Sequence, residues 1–141
     1  MIEVWFDGLC DKNPYGKGGV GAVIERNGEI VHIIAQYIGE GKYMSNNVAE
    51  YAALHSALLY LERLGLVDDE VIVYGDSRLV IEQMSGHWKI TGGLYTRTAL
   101  ATKALLKCFP NITLHWIPRE QNVRADELSR VGVEAKNQRR L

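Results

Sequence analysis

Cysteine is scarce in this chain. Two residues, Cys10 and Cys108, stand in 141 positions, too few for a disulfide framework and suited to a reducing compartment. Two free thiols are expected, with a single bridge as the alternative. No uninterrupted apolar run approaches the ~20 residues that a membrane-spanning helix needs. The amino terminus, Met1-Ile2-Glu3-Val4-Trp5-Phe6-Asp7, carries an acid where a secretory leader needs a basic region, so a cytoplasmic protein is expected. Met1 opens directly onto a strand-like run, which favours a free-standing protein. The four histidines, His32, His55, His87 and His115, show no i,i+4 pairing and no cysteine partner, so they support no zinc site. Internal repeats, low-complexity stretches and linkers are also missing. What remains is ordinary: 47% hydrophobic and 23% charged residues exclude intrinsic disorder. The length suits one domain, 1–141, with a real core.

The net charge of −1 hides an asymmetry. Residues 1–76 hold five lysines and arginines against twelve acids, whereas residues 77–141 hold eleven against five. Such a split permits a basic face for a polyanion beside an acidic pocket for a cation. An unevenly charged, solvated surface is the plainer alternative.

Periodicity divides the chain in two. Residues 2–7 form a short apolar-rich run that reads as a strand ending at Asp7. Gly16, Gly18, Gly19 and Gly21 cluster around an expected turn. The β-rich runs 20–25 and 29–38 are joined through Asn27-Gly28, a strong hairpin signal. Ser45-Asn46-Asn47 then offers helix caps. Apolar residues at helical spacing follow over 48–64, and Gly65 ends them. Val71-Ile72-Val73-Tyr74 is a continuous apolar run of the kind a buried parallel strand shows. Helices over 78–84 and 94–106, a fifth strand over 112–117 and a last helix capped by Asn122 and running to about Glu134 complete the order βββαβααβα. Residues 136–141 are a polar tail whose Lys136, Arg139 and Arg140 offer some attraction to a polyanion. The fold class expected is α/β: a five-stranded mixed sheet, three antiparallel strands then two parallel, flanked by helices.

Four acids stand out by position. Asp7 and Asp76 end the first and fourth strands. If those strands are parallel neighbours, both carboxylates lie at the carboxyl edge, where open α/β sheets place their ligands. Glu50 and Asp126 each lie one turn into a helix among small or apolar neighbours. Such an acid is costly unless paired or metal-bound. Converging carboxylates repel, and a divalent cation relieves them; hard oxygen ligands suit Mg²⁺ or Mn²⁺. Each acid taken singly has a plainer role, as an Asx turn, a helix cap or a helix-surface charge.

The motifs around these acids resemble those of the type 1 ribonuclease H family. Asp7-Gly8-Leu9-Cys10-Asp11-Lys12-Asn13-Pro14-Tyr15-Gly16-Lys17-Gly18-Gly19 is similar to that family's D-G-x-C-x-x-N-P-x-G-x-G-G loop. Ser45-Asn46-Asn47-Val48-Ala49-Glu50, Tyr74-Gly75-Asp76-Ser77 and Ala125-Asp126-Glu127-Leu128-Ser129 match its three later motifs, in order, across residues 2–134. The resemblance implies the ribonuclease H-like fold and a four-carboxylate centre of Asp7, Glu50, Asp76 and Asp126. It also implies two Mg²⁺ ions, with Mn²⁺ as a substitute, and endonucleolytic cutting of RNA paired with DNA to leave 5′-phosphate and 3′-hydroxyl ends. Two departures point to the archaeal-type branch. The basic insertion usual in bacterial members is reduced to Ser85-Gly86-His87-Trp88-Lys89-Ile90. Arg119 also stands seven residues before the last aspartate, where those members have histidine.

Phosphodiester hydrolysis needs an activated water, charge neutralisation and a stabilised leaving oxygen, which two metals ~3.5–4 Å apart supply. Asp7 is the natural bridging ligand, Asp76 and Asp126 would hold the water-activating ion, and Glu50 with Asp7 the ion facing the leaving oxygen. Arg119 stays charged and cannot act as a general base; stabilising charge or helping product leave suits it better, and anchoring a phosphate is its alternative. Distinguishing RNA from DNA needs contact with the 2′-hydroxyl, for which Asn13 and Asn46 offer amides. Gly8, Cys10 and Ser77 complete the candidate substrate surface within these motifs. Ser45 at a helix start could bind a phosphate of the DNA strand. Trp88 and Lys89 could meet a sugar and a phosphate, with Trp88 as core filler the alternative. The expected partner is an RNA–DNA hybrid, with no membrane, and a monomer is expected. The rival readings are a nuclease of the same fold acting on double-stranded RNA or DNA, and a non-catalytic nucleic-acid-binding module.

Overall fold

The structure, a computed structural model, describes the backbone of residues 1–138 and the side chains of residues 1–135. Arg139, Arg140 and Leu141 of the expected tail lie outside the described residues, as does the side chain of Lys136. Five strands, β1 (Ile2–Cys10), β2 (Lys17–Arg26), β3 (Glu29–Glu40), β4 (Val71–Gly75) and β5 (Ile112–Trp116), form one sheet in the order β3-β2-β1-β4-β5. The first three pair antiparallel, and β1, β4 and β5 run parallel. The helices are α1 (Asn46–Arg63), α2 (Arg78–Met84), α3 (Thr96–Leu106) and α4 (Val123–Gln138). The α/β class and the mixed sheet are those expected from the sequence. No helix among the described residues is long and apolar enough to cross a membrane.

Local chemistry explains the punctuation. Asn27 and Gly28, at φ 52° and 83°, turn β2 into β3 in the left-handed conformation that an Asn-Gly hairpin favours. Ser45 caps α1 by accepting from the Val48 amide at 3.2 Å. Gly65 closes it at φ 73°: its amide donates to Glu62, and that of Leu66 to Leu61, at 3.0 Å each. That is the paired arrangement that satisfies the last carbonyls of a helix. The even residues of β1, Ile2, Val4 and Phe6, are buried with Leu54, Leu58 and Leu61 of α1 in one core.

Several sequence expectations need correction. Asp7 does not end β1. Its strand runs on to Cys10, because β2 continues to pair with it after the five-residue β4 has stopped at Gly75. Gly18, Gly19 and Gly21 do not surround a turn; they lie within β2. A β-carbon at Gly19 or Gly21 would overlap the backbone of α4 at Ser129 or Ala125, so these glycines let the last helix rest directly on the sheet. Leu64, the last of the apolar residues at helical spacing in α1, is 54% exposed, because it caps the helix beyond its last packed turn. Helix α4 continues to Gln138 rather than stopping near Glu134, which takes residues 136–138 out of the tail. Asn122 precedes α4, but its side chain does not cap it. It is buried and donates from Nδ2 to the Phe6 carbonyl at 2.9 Å.

Candidate active site

Register brings the first two acids together. Phe6 of β1 pairs with Gly75 of β4, so Asp7 and Asp76, the next residue on each strand, stand side by side where the parallel pairing stops. Gly8 has no side chain to hold α1 away; a β-carbon there would overlap the backbone of Ala49 and Glu50. The first turn of α1 therefore reaches the sheet and delivers Glu50. Carboxylate oxygens of Asp7, Glu50 and Asp76 lie within 4.8 Å of one another. Asp126, in the first turn of α4, meets Asp7 through a side-chain hydrogen bond but lies outside the three acids that are all mutually within 4.8 Å. It lines the same cavity of about 220 Å³ with Asn46 and Arg119, and its Oδ2 accepts from Arg130 Nε at 3.3 Å.

The cost of this convergence is visible in the carboxyls. Burial, then the charges of Asp76, Glu50 and Asp126, push Asp7 up to about 8. Burial raises Glu50 to about 7, against the opposing pull of a hydrogen bond from Ser77. Asp76 is raised too, again chiefly by burial, while the Arg119 guanidinium works the other way. Crowded acids that hold protons near neutral pH are a donor set that a hard divalent cation would relieve. The residues present therefore fit such an ion: all the donors are carboxylate oxygens, which suits Mg²⁺ or Mn²⁺ over softer metals.

The remaining candidates fall around this cavity in different ways. Arg119, exposed on a 3₁₀ turn over Arg119–Gln121, lines it directly. The acceptor oxygens of both asparagines are already used: Asn13 Oδ1 accepts from the Asn46 amide at 3.0 Å, and Asn46 Oδ1 from the Cys10 amide at 2.7 Å. Among the described residues neither Nδ2 has an acceptor, so each amide keeps a donor. Cys10 is buried and free, and Cys108 is exposed and free. Ser45 and Ser77 cap α1 and α2 through their hydroxyls. Trp88 and Lys89 lie apart from the acids, on the loop between α2 and α3. Trp88 is 48% exposed, which excludes a role as core filler.

Two buried polar residues at the site have roles that the sequence reading did not assign. Ser129, fully buried, donates to the Asp126 carbonyl at 2.7 Å and has its Oγ 3.5 Å from Asp7 Oδ2. Asn122 ties the segment before α4 to β1, and its Oδ1 has no partner among the described residues. In the sequence Asn122 reads as a helix cap and Ser129 only as the last residue of the fourth motif. Only the packing of α4 across β1 and β2 brings Ser129 to Asp7 and Asn122 to the Phe6 carbonyl beside it.

Residues 5–132 match the family model described as reverse transcriptase-like. A bifunctional protein of Mycobacterium tuberculosis is 35% identical over 136 residues, which span 95% of this chain but only 36% of that protein. The chain thus spans about a third of that relative's length. A ribonuclease H of Brucella ovis is 34% identical over 147 residues, covering 94% of this chain and 90% of the relative. Among solved structures, LC11-RNase H1, isolated from compost and crystallised with an RNA/DNA hybrid, superposes with a TM-score of 0.86 at 36% identity, covering 96% of this chain and 99% of that one. Such coverage, together with the carboxylate-lined end of a β3-β2-β1-β4-β5 sheet, shows that the chain belongs to the type 1 ribonuclease H family.

Proposed function

We propose that this protein is an endoribonuclease that hydrolyses the RNA strand of RNA–DNA hybrids, leaving 5′-phosphate and 3′-hydroxyl ends. The observation that carries the reading is the convergence of Asp7, Glu50 and Asp76 within 4.8 Å, with Asp126 and Arg119 lining the same cavity. The crystal complex of the related LC11 enzyme with an RNA/DNA hybrid supports the substrate class. Asp7, Glu50, Asp76 and Asp126 would hold two divalent ions, Mg²⁺ with Mn²⁺ as a substitute. When bound, such ions activate a water and neutralise charge on the attacking and leaving oxygens of a phosphodiester.

The chain's own groups do the rest. Asn13 and Asn46 donate from Nδ2 to a 2′-hydroxyl, their oxygens being engaged within the fold; the loss of that acceptor in DNA disfavours a DNA strand at the same place. Arg119 supplies a permanent positive charge at the rim and takes no proton. Trp88 and Lys89, with Ser45, contact the sugar and phosphates of the DNA strand. Gly8, which lines the cavity, and Ser77 complete the substrate surface, while buried Cys10 supports it from within by holding Asn46. The proposal extends to one catalytic domain over 1–141 that acts as a monomer in the cytoplasm.

The deciding measurement is cleavage of end-labelled RNA in an RNA–DNA hybrid, with Mg²⁺ or Mn²⁺, beside RNA duplex, DNA duplex and single strands. Internal cuts confined to the RNA of the hybrid are expected. Equal cutting of double-stranded RNA or DNA would replace the substrate assignment, and binding without cutting any strand would leave a nucleic-acid-binding module.

A further inference from the structure

A buried polar cluster outside the carboxylate cavity joins three elements through one side chain. Gln83, on the last turn of α2, is 3% exposed. Its Oε1 accepts from the Tyr51 hydroxyl. Its Nε2 donates to the Lys89 carbonyl at 2.9 Å and to the Tyr95 hydroxyl at 3.2 Å. Tyr51 is fully buried in α1, immediately after Glu50, and its ring stacks on that of Tyr95, with centroids 5.9 Å apart. Tyr95, at the start of α3, meets Thr91 Oγ1 at 3.1 Å. Thr96 in turn donates from Oγ1 to the Thr91 carbonyl at 2.8 Å. The loop over 85–93 has no regular hydrogen bonding of its own in its second half. Gln83 is thus the link between its backbone and the helix that carries Glu50.

Chemistry explains why an amide suits this place. Its oxygen accepts from one phenol while its NH₂ group has two donors, one for the Lys89 carbonyl and one for the Tyr95 hydroxyl. An apolar replacement would strand the Tyr51 hydroxyl and the Lys89 carbonyl, which buried polar groups do not tolerate cheaply. The loop would then move toward water. Trp88 and Lys89 also line a groove of about 540 Å³ floored by Gln83, with Leu100 and Lys103 on its α3 side.

We infer that Gln83 is a positioning residue: it sets the place of Trp88 and Lys89 relative to the carboxylate cavity, and so governs how the duplex is held across both. This rests on the proposed hybrid cleavage, in which Trp88 and Lys89 meet the DNA strand. Gln83 touches neither substrate nor carboxylates, so its effect belongs in substrate capture rather than in the chemical step.

Steady-state kinetics on a short hybrid test this with Gln83→Leu, Gln83→Glu and Tyr51→Phe. Gln83→Leu should raise KM about tenfold, the scale of one buried hydrogen bond left unmade, with kcat within about twofold of the parent. Gln83→Glu keeps the shape and the acceptor for Tyr51; protonated, it can still donate to Lys89, and ionised it cannot, so its KM relative to the parent at the same pH should rise as pH is raised from 6 to 9. It also serves if the leucine variant fails to fold. Tyr51→Phe leaves the Lys89 link intact but unties Gln83 from α1, so its rise in KM should be smaller than that of Gln83→Leu. Adding Trp88→Ala to Gln83→Leu should cost much less than Trp88→Ala alone, because the two act through one loop. Hydrogen exchange reads the loop without any cleavage: amides of 86–93 should exchange faster in Gln83→Leu while those of β1 and β4 do not. If the parent cleaves no hybrid, the functional reading fails, and exchange still reports whether Gln83 holds the loop. A parental KM in both Gln83 variants, or unchanged exchange over 86–93, overturns the inference.

Discussion

Asp7 carries the largest electrostatic load in the protein. Its carboxyl is raised from the ordinary 3.8 to about 8 by burial and three neighbouring acids, so the native state holds a proton that the unfolded chain releases. Stability should therefore fall as pH rises through that window when no divalent cation is present. Differential scanning in EDTA between pH 5 and 8 should show a declining Tm, and Mg²⁺ should restore more at pH 8 than at pH 5, since it binds only the folded, deprotonated site. Asp7→Asn should flatten the decline and melt above the parent at pH 8 by roughly 3 °C, the shift expected from about 1 kcal/mol at this size, while cleaving no hybrid. A rising Tm from pH 5 to 8 would contradict the burial argument. Arg119 belongs to the same scale. Acting by charge at the rim, it should tolerate Arg119→Lys and lose kcat, with KM held, as Arg119→Ala; a salt-dependent rise in KM alone would make it a phosphate anchor instead.

Among the elements, α4 is held closely at two places. It lies on β2 because Gly19 and Gly21 present bare backbone to Ser129 and Ala125, and the segment leading into it is held to β1 through Asn122. Moving this helix moves Asp126 and Ser129 relative to Asp7. Gly21→Ala should destabilise by about 1–3 kcal/mol through overpacking, read as a lower urea midpoint at unchanged m. Gly28→Ala, at φ 83° in the β2–β3 turn, should destabilise by about 1–2 kcal/mol through backbone strain. That turn lies outside the carboxylate cavity, so at a temperature where both variants are folded only Gly21→Ala should lose kcat. Equal kcat in the two would detach α4 packing from the chemistry.

Over the whole molecule, the first half is acidic and the second half basic, a split that permits a basic face for the proposed hybrid beside the carboxylate cavity. Association with a hybrid should weaken steeply with salt as phosphate counterions are released, and Lys89→Ala should reduce the slope of log K against log salt by about one. Fluorescence anisotropy over a salt series, with Asp7→Asn to prevent cleavage, checks it; an unchanged slope removes Lys89 from the phosphates. Local signals in the sequence were enough for the element order, the Asn27-Gly28 hairpin, the Ser45 cap and the Gly65 stop, since each depends on neighbours a few residues away. The four acids were also legible, because strand ends and first helical turns are positions that sequence can locate. The glycines of β2 were misread, Asn122 was taken for a cap, Ser129 was given no role beyond its motif, and Gln83 passed unnoticed. In each case the meaning of the residue lies in a partner distant along the chain: α4 for Gly21, Phe6 for Asn122, Tyr51 for Gln83 and Asp7 for Ser129. The sequence by itself determined which residues could start, stop and charge each element. Close approach and buried polar pairing are properties of two segments at once, so the tertiary structure alone decided which acids draw within 4.8 Å and which side chains hold them there.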